Sequence, residues 1–228
     1  MADLANELRL PKGTVYGILR TLETVGFVEQ DDESGKYQLG PALLHIGSRY
    51  LESNELRLRG LQWSERLAAE TGDTVSIGAP HDSLVLLVHH VVRPAEIPQA
   101  LAVGSLIPAH ATALGKAVLA HRPDLASVVA ASELATYTAT TISDPAGLTA
   151  QLETIAGRGW ADDVAELLPG VASIAAPIEG RERIVIGAIA LSGPLERMCA
   201  DGSPRPDLAD QVMCSARAIS RELGSRPW

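Results

Sequence analysis

The side chains able to do chemistry fall into two groups. In the C-terminal half, His110-Ala111-Thr112-Ala113-Leu114-Gly115-Lys116 carries a loop containing Pro108 into a helix that Thr112 can cap. The first N–H groups of a helix have no acceptor within it, so the amides of Ala113 and Leu114 can receive a carboxylate, phosphate or hydroxyl oxygen. Asp163, between Trp160 and Pro169-Gly170, can accept hydroxyl hydrogens from a polyol, and Ser192 has the same strand parity as Ala190. In the first forty residues, Lys12, Thr14, Tyr16 and Arg20 lie off the apolar stripe of a helix, and Lys36 lies on a following hairpin. Cations and hydroxyls so arranged suit the phosphates and base edges of double-stranded DNA. Each group also has a plainer reading: an ordinary capped helix, a loop aspartate, and a small helical subdomain that meets no DNA. His110, Lys116, Asp163 and Ser192 are residue types that could form an acid–base set. However, no G-x-S-x-G, H-E-x-x-H, P-loop or G-x-G-x-x-G pattern accompanies them, so binding is expected and catalysis is not.

The elements that must position these groups follow from periodicity. Val15, Ile18, Leu19 and Leu22 recur at i, i+3, i+4 and i+7, one buried stripe of a helix. Pro11 fits a first helical turn, and Gly26 fits a C-terminal stop. Residues 27–30 and 36–39 flank the turn-rich Asp31-Asp32-Glu33-Ser34-Gly35 as a hairpin. A short helix, a turn, this helix and the hairpin make a winged helix-turn-helix over residues 1–40. Residues 42–52 and 55–70 are helical in pattern, a linker over 41–70 that carries Arg49, Arg57 and Arg59. Beyond it, strands are expected at 74–79, 84–92, 172–178 and 183–193, and helices at 112–121, 123–131, 146–158 and 207–224. That order makes residues 71–228 an α+β domain with an antiparallel sheet and helices packed on it. His89 and His90 are neighbours on a strand and must point to opposite faces. With no third ligand at suitable spacing, neither a metal site nor a cofactor is expected.

Composition sets the outer bounds. The 228 residues, 46% of them hydrophobic, can build an ordinary core, and with only eight aromatics that core must be aliphatic. No run of about 18 apolar residues is present, so no membrane span is expected. No secretory signal pattern opens the chain, and Cys199 and Cys214 have neither metal nor framework spacing, which fits a reducing cytoplasm. The net charge of −9 argues against a broad DNA-attracting field. Residues 1–47 hold four Lys and Arg against seven Asp and Glu, a local net of −3. DNA binding would therefore rest on geometry, a few placed cations and several modules acting together. Gly13 and Gly17 on the presumed DNA face leave Thr14, Tyr16 and Arg20 as the main reading residues.

At these same residues the chain resembles the IclR family of bacterial transcription regulators, along essentially its whole length. The resemblance is carried by residues 4–47, by His110–Ala117, by Gly159-Trp160-Ala161-Asp162-Asp163 with Leu168–Pro177, and by Gly187–Pro194. Within the family it most resembles the branch that regulates glycerol operons in actinobacteria, through GILRTLETVGFVEQDDESGKYQLG and LVHHVVRP. The resemblance implies a GAF-like effector domain and a homodimer or dimer of dimers. It implies effector contacts from the Ala113 and Leu114 amides, Asp163, Ser173, Ser192 and the Ala190 position, where family members can carry serine. It also implies a further helix ahead of Leu4, so the first helix of the DNA-binding module is expected to be missing from these 228 residues. Leu4, Leu8, Leu19 and Leu22 are then expected to lack an apolar partner. Two functions stay open: a ligand-responsive regulator, expected to be a repressor, or a small-molecule sensor that binds no DNA.

Overall fold

Val15 and Leu19, two of the four stripe residues, are the buried anchors of the N-terminal unit, Met1–Asn54. The computed structural model describes residues 2–92 and 102–224, so Arg93 and Pro94 of the LVHHVVRP segment lie outside it. Helix α1 (Ala2–Glu7) meets helix α2 (Lys12–Thr24) through Ala5, Val15 and Leu19, with Val28 and Tyr37 packed against them. Ile18 departs from expectation and is 45% exposed. It sits about 60° around the helix from Val15, at the margin of the stripe. The expectation for Leu19 is also corrected: the hairpin residues Val28 and Tyr37 belong to its cluster, and it is buried, whereas Leu4 and Leu8 are exposed. Pro11 is the residue before α2 rather than its first turn, and its carbonyl accepts from the Thr14 and Val15 amides. Gly26 adopts φ +72° just past the helix, a left-handed stop that a side chain would resist.

Strands β1 (Val28–Gln30) and β2 (Tyr37–Leu39) pair antiparallel with Glu29 opposite Gln38. Asp31 shapes their turn by accepting from the Ser34 amide at 2.7 Å. Helix α3 (Pro41–Ser53) follows with proline in its first turn. The stretch expected as a linker is thus two helices. One belongs to this unit, and the other, α4 (Glu55–Thr71), opens the second unit, Glu55–Trp228.

The second unit is built on a six-stranded antiparallel sheet. Its strands are β3 (Thr74–His81), β4 (Leu84–Val91), β5 (Leu106–Pro108), β6 (Ala161–Val164), β7 (Val171–Glu179) and β8 (Val185–Pro194), in the order β5-β4-β3-β8-β7-β6. Helices α5 (Ala113–Leu119), α6 (Pro123–Ala130) and α7 (Pro145–Arg158) lie between β5 and β6 in sequence. A short α8 (Leu195–Met198) and a ribbon of β9 (Cys199–Ala200) and β10 (Ser203–Pro204) lead to α9 (Pro206–Gly224). Strand alternation divides the core between the two faces. On one face Ile77 lies against Gly60 of α4 and near Ile219 of α9. On the other, Ala161, Ala175, Ala188 and Ala190 form a floor of small residues under α5, whose Ala113, Leu114, Ala117 and Val118 belong to the same cluster. Strands β5 and β6 are short and were not foreseen. Consequently Asp163 is on a strand and not in a loop.

Strand β6 covers only residues 172–175 of β7. Past that point Pro177 offers no N–H, and the Glu179 amide donates to Ser220 Oγ of α9 at 2.9 Å.

Candidate effector and DNA-reading sites

Register places three of the expected effector residues in one line. Asp163 is opposite Ser173, Ser173 is opposite Ser192, and Ser192 is opposite Thr74. Residues paired directly across an antiparallel sheet share a face, so this is a polar row over β6, β7, β8 and β3. Ser192 Oγ donates to Ser173 Oγ at 2.9 Å. The next row on the same face is Ala161, Ala175, Ala190, Ser76 and His90. Ala190 therefore leaves a methyl group beside the buried hydroxyl-bearing Ser76. This is the face that α5 covers. Asp162 points the other way and pairs with Arg158. His89 and His90 divide as alternation requires: His90 stands opposite Ser76, and His89 stands opposite Ile77 on the α4 side. Burial lowers the pKa of His89.

Helix α5 is set by its cap and by a close approach. Thr112 is extended, accepts from the Gly115 amide at 3.2 Å and donates to the Pro108 carbonyl at 2.8 Å. A Cβ on Gly115 would stand 2.2 Å from the Ala109 carbonyl oxygen, so glycine is what lets the helix lie on its own entry strand. Ala113 and Leu114 are the first two residues of the helix, where N–H groups lack intrahelical partners. All seven residues of α5 are buried, Lys116 included. Lys116 Nζ lies 2.5 Å from Glu166 Oε1.

Asp163 is buried, and its Oδ1 accepts from the Glu166 amide at 2.7 Å. Burial raises its pKa to about 7, against the lowering effects of that amide and of Lys116, with Glu166 adding a smaller push upward. Near neutral pH the carboxyl is therefore balanced between accepting and donating a hydrogen bond. The sequence did not single out Lys116 and Glu166 as a pair. The available signal was one lysine in the apolar run ALGKAVL, since such a charge needs a buried counter-charge. An open groove of about 810 Å³ lies elsewhere, between the end of β7 and α9, and contains none of the expected effector residues.

On the N-terminal unit, Lys12, Thr14, Tyr16 and Arg20 are exposed on α2, and Lys36 is exposed at the hairpin. Arg20 Nη1 donates to Tyr16 Oη at 3.1 Å, one turn away, which orients both side chains on one face. Nothing lies within 4 Å of where a Cβ on Gly13 or Gly17 would stand, so this face is open between the side chains.

The pattern of the bacterial transcriptional regulator IclR C-terminal domain matches residues 48–221, and that of the IclR helix-turn-helix domain matches residues 1–32. The chain belongs to the IclR family. It is 45% identical over 225 residues to the glycerol operon regulatory protein of Streptomyces coelicolor, covering 99% of this chain and 89% of that one. The crystal structure of the IclR transcriptional regulator from Alicyclobacillus acidocaldarius superposes with a TM-score of 0.81 at 26% identity, over 98% of this chain and 90% of that one. An IclR homologue from Microbacterium hydrocarbonoxydans, solved with 4-hydroxybenzoate, shares the fold at a TM-score of 0.80 and 23% identity, over 97% and 90% of the two chains. This IclR-family chain is thus a transcriptional regulator with a helix-turn-helix unit and an effector-binding type of C-terminal domain. Among the described residues no helix is long and apolar enough to cross a membrane.

Proposed function

We propose that this regulator is a repressor of a small catabolic operon, released by a small polyol or its phosphate, with glycerol and glycerol 3-phosphate as the first candidates. Residues 1–40 read the operator, 41–70 join the two functions, and 71–228 bind the effector. The observation that carries the effector assignment is the row Asp163–Ser173–Ser192 on the sheet face that α5 covers. A ligand there meets hydroxyls and a carboxyl from the sheet, and the Ala113 and Leu114 amides from the helix. The amides suit an anionic end and Asp163 suits hydroxyls, so a phosphorylated polyol uses both. The similarity to glycerol operon regulators supports the same ligand class.

On the DNA side, Thr14, Tyr16 and Arg20 reach bases or phosphates, and Lys12 and Lys36 hold the backbone. With few cations per module, affinity depends on pairing modules on a repeated site, so the working form is a homodimer or a dimer of dimers. Light scattering at micromolar concentration should return a multiple of the chain mass; a monomer refutes the assembly. Ligand should stabilise the fold by about 2.7 kcal/mol at a hundredfold excess over its Kd. Asp163→Ala should remove that shift and leave operator binding unresponsive in a gel-shift titration. A wild-type protein indifferent to glycerol and glycerol 3-phosphate discards the ligand assignment. Loss of the ligand shift with DNA binding intact separates the two halves of the reading.

A further inference from the structure

Beside Asp163 lie two interior charges that the reading above leaves without a role. Lys116 is 0% exposed and stands three residues, about one turn, after Ala113. Glu166 is 5% exposed, with Oε1 2.5 Å from Lys116 Nζ. Glu166 is also built into the Asp163 turn. Its amide donates to Asp163 Oδ1 at 2.7 Å, and its carbonyl accepts from Thr141 Oγ1 at 2.6 Å and Thr138 Oγ1 at 3.2 Å. Glu166 Oε2 is buried with no hydrogen-bond partner among the described residues. Taking two ions out of water is costly, and apolar residues often serve stability equally well in such places. A buried pair at this position calls for a gain other than stability.

The location of the pair supplies that gain. One partner is on the helix whose first amides face the expected ligand, and the other is on the turn that carries the expected carboxyl. We propose that Lys116 and Glu166 are positioning residues of the effector site: their ion pair fixes the Asp163 turn against the first turn of α5 and cancels the lysine charge, so that a hydroxyl-bearing ligand meets Asp163 and not Lys116. The proposal rests on the reading of this face as the effector site. The charged groups acting on Asp163 are Lys116 from α5 and Glu166 from its own turn. The strands beside it present Ser173 and Ser192, which carry no charge in this range.

The test is the pH profile of Asp163 and of ligand binding in the full chain. Carbon-detected NMR of the Asp163 carboxyl gives its titration without ligand. Calorimetry with glycerol and with glycerol 3-phosphate, from pH 5.5 to 8.5, gives the affinity profiles. In the wild type both should break near neutral pH. In Glu166→Gln the freed lysine should move the break down by a unit or more, and should improve the affinity for glycerol 3-phosphate relative to glycerol by about tenfold per unit. In Lys116→Met the break should move up. A pair that merely holds the fold would change affinity equally at all pH values and leave the break in place; that result overturns the proposal. If a single variant fails to fold, Lys116→Met/Glu166→Gln, which leaves no unpaired buried charge, takes its place. It should bind the better probe at least tenfold more weakly while melting near the wild type. An affinity within threefold of wild type removes the positioning role. If the wild type binds neither probe, the ligand reading fails, and the NMR titration of Asp163 in the same variants still decides the proposal.

Discussion

Asp163→Asn should alter stability in a pH-dependent way that follows from the site. The folded-state pKa of Asp163 is raised from 3.8 to about 7, chiefly by burial. Below pH 4 the folded and unfolded chains both hold the proton, and the group contributes no difference. Between pH 4 and 7 the unfolded chain ionises first, so the folded state loses stability as pH rises. Above pH 7 both forms are ionised and the loss is complete. A shift of about 3 units at 1.36 kcal/mol each gives about 4 kcal/mol across this window, an upper limit because the site relaxes when charged. Asparagine stays neutral throughout and keeps an oxygen for the Glu166 amide. The variant should therefore match the wild type below about pH 4 and exceed it increasingly up to about pH 7, beyond which the advantage levels off. Urea unfolding followed by circular dichroism at half-unit pH steps measures the difference directly. A difference between the two proteins that stays constant with pH, or that favours the wild type at pH 8, refutes the account of Asp163 as a carboxyl held neutral by its surroundings.

Three further outcomes are expected. Arg20→Ala should weaken operator binding and lower the slope of log affinity against log salt by about one if the guanidinium meets a phosphate, and an unchanged gel-shift titration for both Arg20→Ala and Lys36→Ala rules out docking through α2 and the wing. Gly115→Ala drives a methyl group into the Ala109 backbone, 2.2 Å from its carbonyl oxygen, and should cost about 3 kcal/mol or more because neither backbone can yield easily; a melting temperature within a degree or two of wild type contradicts the close approach. Thr112→Ala removes the cap of α5 and should cost about 1–2 kcal/mol in denaturant titrations, with a weakened response to ligand as a second readout.

What the sequence made legible was set by pattern length. The stripe at Val15 and Leu19 and the long strands β3, β4, β7 and β8 were readable because each runs long enough to show its pattern, and the short wing strands were readable only through the turn-rich Asp31–Gly35 between them. Strands β5 and β6 have three and four residues, too few for alternation to register. Ile18 was misplaced because a stripe drawn from spacing has no margin until a neighbour defines one. For the candidate site, Asp163, Ser173 and Ser192 were identified singly, but their alignment depends on the registers of two strand pairs, which no local pattern encodes. The Lys116–Glu166 pair joins residues fifty positions apart. Its members look like ordinary charges until burial is known.

The far end of β7 bears on how copies of this protein can meet. A strand left uncovered is normally an invitation, because its free amides and carbonyls will bond to any extended chain that arrives. Here Pro177 has no amide to offer, and the Glu179 amide is already taken by Ser220. An arriving strand would find acceptors but no backbone donors at Pro177 and Glu179, so the full ladder that is indifferent to sequence is blocked there. Association there must instead be negotiated by side chains, which can tell one partner from another. That difference separates selective contact from indiscriminate clumping.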